Sequence, residues 1–341
     1  MKAIMKWIAK VIIAGICAIG ILSLFCVIYS YDGIHISSDT GATDYVWEPS
    51  QFKSTMKEGL AWLKMDQNGY NNIKDYSDSP DILLMGSSHM EALQVAEVEN
   101  VGYLLNELLP DYHTYNIGMS GHTIYRCMDN LPEAIRAYSP QKYVVMVIDS
   151  VELSVDDMKS VMNGDAQKLS SYDSGIIYHL QKIPAIKIIY KQLDDWISLE
   201  AKSNKNKTMF FAEESQSSIE LSAEEEYYKT LSEFLREASQ TAETAGVKLI
   251  VVYQPMQSLE ADGTVSYAHS EESLSVFEKV CEEQGIIFED VTNAFDRLYN
   301  EEHILAHGFS NSQLGEGHLN KYGHKVVAKE IALKIKELEA K

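Results

Sequence analysis

The chain has 341 residues, with 50 Asp and Glu against 29 Lys and Arg, and its apolar and charged fractions are those of a folded protein. Its length allows one or two domains with a sizeable core. The net charge of −21 excludes a phosphate-tracking nucleic-acid binder, which needs a basic face, so no nucleic-acid partner is expected.

The N-terminus has the pattern of a membrane-spanning segment. Three lysines lie within residues 1–10, before a run from Val11 to Tyr31 that carries no charge. A helix of that length crosses the roughly 30 Å hydrocarbon core, and lysines before it favour a cytoplasmic N-terminus. No small-residue cleavage site follows. We predict a cytoplasmic stub and uncleaved transmembrane signal anchor over 1–31, which makes a single-pass cell-membrane protein with an extracellular C-terminal part. A buried core helix is the alternative.

Residues 32–80 are predicted to be a linker and a short lead-in. The stretch 32–50 is polar and contains Gly and Ser, which is typical of a linker. The apolar spacing over 51–64 predicts a short amphipathic helix. An Asn- and Asp-rich stretch then leads to the first buried strand.

From residue 81 onward, apolar strand-like runs alternate with helical patterns. This alternation implies βαβ units, and near-continuous apolar strands imply a sheet buried on both faces. The predicted fold over 81–341 is an α/β, three-layer α/β/α sandwich with a roughly five-stranded parallel sheet of the flavodoxin-like type. The predicted strands are 81–86, 112–118, 142–149, 247–255 and 286–291, and the predicted helices are 90–110, 125–138, 222–246, 270–285 and 320–341.

An insertion at about 153–220 interrupts the alternation. It contains the amphipathic stretch "IIYHLQKIPAIKIIYKQLDDWI" followed by a polar run. The pattern is compatible with a lid or substrate platform and equally with a helical hairpin beside the sheet.

The first strand ends in "MGSSHM", which places Ser88 at a strand-to-helix turn. Ligands bind at the carboxyl ends of strands in such sheets, and a helix N-terminus offers N–H groups to a developing oxyanion. Ser88 is therefore a candidate nucleophile. It is also a candidate N-cap of the following helix, and the stretch alone does not separate the two roles.

A serine needs a base, and the best candidate lies in "GEGHLNKYGH" near the C-terminus. His318 has Glu316 two residues before it, and a carboxylate beside a histidine fixes its tautomer. The alternative is a surface loop with a chance histidine. Between these segments, "NIGMSGHT" carries two glycines whose backbone N–H groups could serve an oxyanion.

Together, "ILLMGSSHM", "NIGMSGHT" and "GHLNKYGHKVVA" resemble the motif blocks of the SGNH, or GDSL-like, hydrolase superfamily over roughly 81–335. The resemblance implies that Ser88 is the nucleophile, with Ser87 at the position often taken by aspartate. It implies that Gly121 is the oxyanion glycine and that His318 is the catalytic base. No metal or other cofactor is implied.

Two positions depart from the family pattern. The acid three residues before the histidine is replaced by Gly315, and Glu316 stands at the two-residue spacing. That spacing is similar to the cell-surface polysaccharide O-acetyltransferase branch. The G-x-N-D block is replaced by "IDSVE", so the oxyanion asparagine is absent and Ser150 is the candidate substitute donor.

These features predict a membrane-anchored serine esterase or O-acyltransferase. The expected catalytic residues are Ser88, His318 and Glu316, and the oxyanion hole is expected from Ser88, Gly121 and Ser150. An exported enzyme meets acylated cell-envelope glycan first, and the family's transferases often work beside a membrane acyl-donor protein. The alternatives are an envelope protein of the same fold that binds glycan or a partner, and a cytoplasm-facing scaffold, which the N-terminal lysines disfavour.

A metal site is the competing chemistry. "HILAH" puts His303 and His307 four residues apart, on one face if that stretch is helical. The glutamate of the H-E-x-x-H motif is missing, and a glycine follows at once. This pattern makes metal binding the weaker prediction.

Overall fold

The computed structural model describes residues 2–29, 31, 33–150, 153, 155–164, 176–190, 221–268 and 271–340. A five-stranded parallel sheet forms the centre of the molecule, in the order β5-β4-β3-β1-β2. Its strands are β1 (Ile82–Gly86), β2 (Thr114–Asn116), β3 (Tyr143–Ile148), β4 (Lys248–Tyr253) and β5 (Ile287–Asp290). The predicted α/β fold with about five parallel strands is confirmed.

Alternate residues of the strands supply two separate cores, one on each face of the sheet. On one face Leu83, Val144 and Val251 pack with the helices Leu221–Ala245 and Glu271–Glu283. On the other face, a second cluster of strand residues packs with Val101–Leu108, Thr292–Glu302 and Lys321–Glu339; its members include Leu84, Val145 and Ile250. Burial of both faces explains why the three inner strands β1, β3 and β4 are almost entirely apolar.

The three helices predicted after β3 match Leu221–Ala245, Glu271–Glu283 and Lys321–Glu339, whereas the two predicted before it are broken. The helix Thr292–Glu302 was not predicted. The predicted helix over 90–110 is divided into Ser88–Glu91, a 3-10 turn at Glu97–Glu99, and Val101–Leu108. Ala92 ends the first piece in the left-handed conformation. The predicted helix over 125–138 is likewise two helices, Ile124–Asp129 and Leu131–Tyr138, and a proline stands near the start of the second.

The lead-in is a packed β structure, and the predicted linker and helix there are wrong. Residues 32–50 hold the paired strands His35–Ser37 and Tyr45–Trp47, the second of them buried. Residues 51–64 form the antiparallel hairpin Phe52–Thr55 and Ala61–Lys64. Buried and exposed residues alternate over Ala61–Lys64. This alternation has the period of two that is typical of a strand and not the period of a helix.

Two further hairpins lie beyond the central sheet, at Met256–Leu259 with Val265–Ala268 and at His307–Gly308 with Leu314–Leu319. Before the lead-in, the helix Lys2–Tyr29 is long and apolar enough to cross a membrane. Within the 153–220 insertion, the described parts include the helices Val155–Met162 and Ile176–Gln181 and helical residues 184–190. The predicted lid or substrate platform concerns mainly residues 165–175 and 191–220, which lie outside the described residues.

Candidate active site

Ser88 lies directly beyond the carboxyl end of β1, as the first residue of a short helix. Ser87 is the N-cap residue, and its side chain makes no capping hydrogen bond. The Ser88 side chain is half-buried, whereas Ser87 and His89 on either side are buried. Ser88 is thus the member of this turn that is open to an incoming group, and it is not the helix cap.

His318 lies beside this turn, in the hairpin strand Leu314–Leu319. The centroid of its ring is 5.3 Å from that of His89, the residue after Ser88. The backbone N–H of Leu319 donates to His89 Nδ1 at 3.1 Å, which ties the His318 strand to the Ser88 turn. The structure therefore brings together two segments that are 230 residues apart in the chain.

The carboxylate on His318 is Glu58, and this corrects the expectation for Glu316. Glu58 Oε2 lies 2.6 Å from His318 Nδ1, and its Oε1 accepts the backbone N–H of His318 at 2.7 Å. No hydrogen bond joins Glu316 to the ring in the described part of the chain. The backbone between Glu316 and His318 passes through Gly317 in the left-handed region, and the place beside Nδ1 is taken by Glu58.

Gly317 makes room for this carboxylate. It has a φ of +83°, and a Cβ at this position would overlap Glu58 Oε1. The glycine thus allows the carboxylate of another segment to reach both the backbone and the ring of the next residue. Glu58 itself stands in the turn of the lead-in hairpin, between Thr55 and Ala61.

The pair has the electrostatics of an orienting carboxylate and a base. Burial alone would raise the pKa of Glu58, but the hydrogen bonds and the charge of His318 outweigh it and hold that pKa below its usual value. An ionised Glu58 accepts Nδ1–H, which leaves the lone pair on Nε2 of the neutral ring. His318 is therefore in the tautomer that a general base needs.

His89 is engaged at both nitrogens, so it is not a base for Ser88. Its Nδ1 accepts from Leu319, which assigns the proton to Nε2, and Nε2 lies 3.3 Å from Asp149 Oδ2. Asp149 follows β3 directly. His89 thus joins the ends of β1 and β3 to the strand that carries His318, and all three residues of these contacts are buried.

The predicted oxyanion donors Gly121 and Ser150 differ in exposure and in their position relative to Ser88. Gly121 is exposed in the loop after β2, with a φ of +79°. Its neighbour Ser120 donates its backbone N–H to Glu91 in the Ser88 helix at 3.1 Å, so this loop is fixed beside the turn. Ser150 has a buried hydroxyl that interacts with Tyr253. Nothing in the described residues connects that hydroxyl with Ser88, whereas Asp149 contacts His89 of the Ser88 turn.

The two histidines of "HILAH" are not on one helix face. The helix Thr292–Glu302 ends before them, and His303 is its exposed left-handed cap. His307 is fully buried, and its Nε2 is 2.9 Å from Gln254 Oε1. Among the described residues, no group of three or more His, Cys, Asp or Glu side chains is arranged to hold a metal ion.

Comparison with solved structures gives several matches of low identity. One is an alpha/beta hydrolase enzyme from the metagenome of Lake Arreo, Spain (17% identity, TM-score 0.39, 76% of this chain and 95% of that chain). Another is TesA (13%, 0.39, 75% and 98%), and a third is the acetyl xylan esterase AlAXEase (13%, 0.40, 74% and 98%). No family model and no curated protein sequence matches the chain. At these identities and TM-scores, the similarity carries no inference about activity, which rests on the residues described above.

Proposed function

We propose that the protein is a membrane-anchored serine esterase or O-acyltransferase of the SGNH type, with its α/β domain outside the cell. The observation that carries the proposal is the Glu58–His318 pair, with a distance of 2.6 Å, held beside the turn that exposes Ser88. A serine at a strand end, a histidine with a free Nε2 lone pair and an orienting carboxylate are the parts of an acyl-transfer site.

In the proposed reaction, Ser88 Oγ attacks the acyl carbon while its proton passes to His318 Nε2. The negative charge that develops on the acyl oxygen is stabilised by the backbone N–H groups of Ser88 and Gly121. The tetrahedral intermediate breaks its bond to the leaving alkoxide, which takes the proton from His318. Water or a sugar hydroxyl, deprotonated by His318, then attacks the acyl-serine. The bond from the acyl carbon to Ser88 Oγ breaks, Oγ takes the proton back from His318, and the carboxylic acid or the new ester is released.

The proposed substrates are O-acetyl groups of cell-envelope polysaccharide. The apolar helix Lys2–Tyr29, with lysines at its start, supports anchoring with the N-terminus in the cytoplasm. An anchored domain outside the cell meets envelope glycans first. Hydrolysis and transfer share the acyl-serine, and a membrane acyl-donor protein is the proposed partner if the acceptor is a sugar.

The test uses the full-length protein in detergent micelles, with p-nitrophenyl acetate and a fluorophosphonate probe. The wild type is expected to release p-nitrophenol and to be labelled at Ser88, and Ser88→Ala and His318→Ala are expected to lose both. Ser87→Ala and His303→Asn are the matched controls, since neither side chain has a hydrogen bond or ion pair with His318 or Glu58 in the described part of the chain. Absence of turnover and of Ser88-dependent labelling in the wild type would refute the catalytic proposal.

The second candidate is a non-catalytic envelope protein that binds glycan. Asp149 favours it, because a carboxylate stands at the strand end where the resemblance leads one to expect an asparagine donor. In the assay above, this candidate gives no labelling while glycan binding, measured by calorimetry with acetylated polysaccharide, is retained in Ser88→Ala.

A further inference from the structure

Two elements surround the outer end of the helix Lys2–Tyr29. One is the hairpin Phe52–Thr55 with Ala61–Lys64, and the other is the described segment 176–190 of the insertion. We call these two elements together the collar. Both contact the last two turns of the apolar helix, and both expose large apolar side chains.

The hairpin is hydrogen-bonded to the end of the helix. Ser54 Oγ donates to the carbonyl of Val27 at 2.6 Å, and Trp62 Nε1 donates to the carbonyl of Ile28 at 3.2 Å. Ser54 and Trp62 are cross-strand partners, so they share one face, and Phe52 lies on the same face two residues away. Trp62 is 49% exposed and Phe52 40% exposed on a face that meets the helix end.

The segment 176–190 exposes five large apolar side chains: Ile176, Leu180, Ile183, Ile188 and Ile189. Its sequence, "IIYHLQKIPAIKIIY", contains two lysines and no acidic residue in a chain of net charge −21. The backbone N–H of Ala185 donates to Ser23 Oγ at 3.4 Å, which fixes the segment to the helix. Lys182 of this segment pairs with Glu48 of the lead-in. Apolar side chains interspersed with lysines are nevertheless the composition of an interfacial membrane segment.

The contact with Ser23 sets the depth of this segment. Ser23 is six residues before the end of the helix at Tyr29, which at 1.5 Å per residue is about 9 Å along its axis. If the uncharged run fills the hydrocarbon core, Ser23 lies within that core. Ala185, at the level of Ser23, is then about 9 Å below the helix end, which is within the roughly 5–10 Å to which interfacial segments enter the acyl region. Trp62, which bonds Ile28 near the helix end, lies closer to the headgroups, where tryptophan has its preferred position.

We propose that the collar is a bilayer-contacting surface, in which the exposed isoleucines of 176–190 and the Phe52–Trp62 face lie in the headgroup and acyl boundary of the outer leaflet. The proposal rests on the proposed anchoring of the helix. It goes beyond anchoring, because it makes the α/β domain sit on the membrane in one orientation. It also makes the hairpin that carries Glu58 to His318 a membrane-resting element.

The test measures the depth of nitroxide labels by electron paramagnetic resonance, with the full chain in nanodiscs of phosphatidylglycerol and phosphatidylethanolamine. Accessibility to oxygen reports the acyl region, and accessibility to a nickel chelate reports water. Native Cys17 is exposed on the apolar helix, whereas Cys26, Cys127 and Cys281 are buried. Labelled Cys17 therefore reports anchoring, and Cys17→Ser supplies the background for Ile189→Cys, Ile176→Cys and the control Leu333→Cys, which is 50% exposed on the last helix.

The oxygen-to-nickel ratio at positions 189 and 176 is expected between that of Cys17 and that of position 333. A ratio at both positions equal to that at 333 would overturn the proposal while anchoring stands. Low accessibility to both reagents would also overturn it, because it indicates a protein partner on the collar. If Cys17 itself gives the ratio of position 333, anchoring fails and the collar proposal fails with it. Labelled variants are compared by circular dichroism with the wild type, and a folded Ile176→Cys serves if Ile189→Cys unfolds.

Discussion

The substitution Glu58→Gln tests whether the Glu58 carboxylate orients the His318 ring and stabilises its protonated form. Gln retains an Oε1 that can accept the backbone N–H of His318, so the hairpin contact at 2.7 Å is preserved. The change removes the negative charge beside Nδ1 and presents either an amide N–H or an amide oxygen to the ring. The imidazolium that forms in the transition state then loses its counter-charge.

The size of the effect follows from the geometry. Two unit charges separated by about 2.6 Å interact by about 6 kcal/mol at an effective dielectric constant of 20, and by about 1.6 kcal/mol in bulk water. The two side chains are 28% and 24% exposed, so the interaction lies between these limits and is screened in part. A loss of about 3 to 4 kcal/mol corresponds to a fall in kcat of roughly 100- to 1,000-fold.

The assay is p-nitrophenyl acetate hydrolysis by the full-length protein, with Glu316→Gln as the matched control. The same chemical change at Glu316 is expected to leave kcat within about twofold of the wild type, because that side chain does not bond the ring. A large loss in Glu316→Gln together with near-normal activity in Glu58→Gln would refute the assignment of the carboxylate.

The remaining predictions concern three neighbours of this site. His89→Leu removes the acceptor of the buried Leu319 N–H and the ring N–H beside the buried Asp149 carboxylate, and is expected to lower the free energy of unfolding by about 2–4 kcal/mol. Gly317→Ala places a Cβ against Glu58 Oε1 at a φ of +83°, and is expected to lower kcat as Glu58→Gln does. Burial lowers the pKa of His324 to about 3, so between pH 6.5 and 3 the unfolded chain binds a proton that the folded chain does not. The free energy of unfolding is then expected to fall by about 2 kcal/mol from pH 7 to pH 5 through this group, and His324→Leu removes that part of the slope.

Each of the three predictions, for His89, Gly317 and His324, has its own control variant and measurement. His89→Asn retains an acceptor near the position of Nδ1, and partial recovery in guanidinium unfolding is expected; equal stability of the Leu and Asn variants would contradict the role of the ring. For Gly317, kcat of Gly263→Ala is compared, since that glycine also has a positive φ but lies in open space. For His324, an unchanged pH slope in the Leu variant would show that the buried ring does not set it.

The central sheet was predictable because its signal is local and strong. Strands buried on both faces are continuous apolar runs, and β3 and β4 stand out on that basis alone. The position of Ser88 followed from the rule that sites lie at carboxyl strand ends. The break at Ala92 was not predictable, because its left-handed conformation leaves no mark in apolar spacing. The break before Leu131 did have a sequence signal, since Pro132 favours the first turn of a new helix.

The carboxylate of the site was harder to find from the sequence. A spacing argument looks near the histidine, and Glu316 was the nearest acid. Glu58 is 260 residues away and lies in a stretch whose short apolar pattern fits a helix as well as a hairpin. The sequence did contain one clue. Gly59 follows Glu58 between two short runs in which apolar and polar residues alternate, and this pattern is typical of a hairpin turn. His89 was seen as a neighbour of Ser88, but its bond to Leu319 depends on tertiary structure.

The origin of Glu58 and His318 at opposite ends of the chain has a consequence for biogenesis. In a chain made from its N-terminus, Glu58 and Ser88 emerge early, whereas His318 emerges only with the last strand and helix. The base that we propose for Ser88 is therefore missing during most of synthesis. On this proposal the serine is activated only when nearly the whole polypeptide has been made and folded, so truncated chains carry an inert serine.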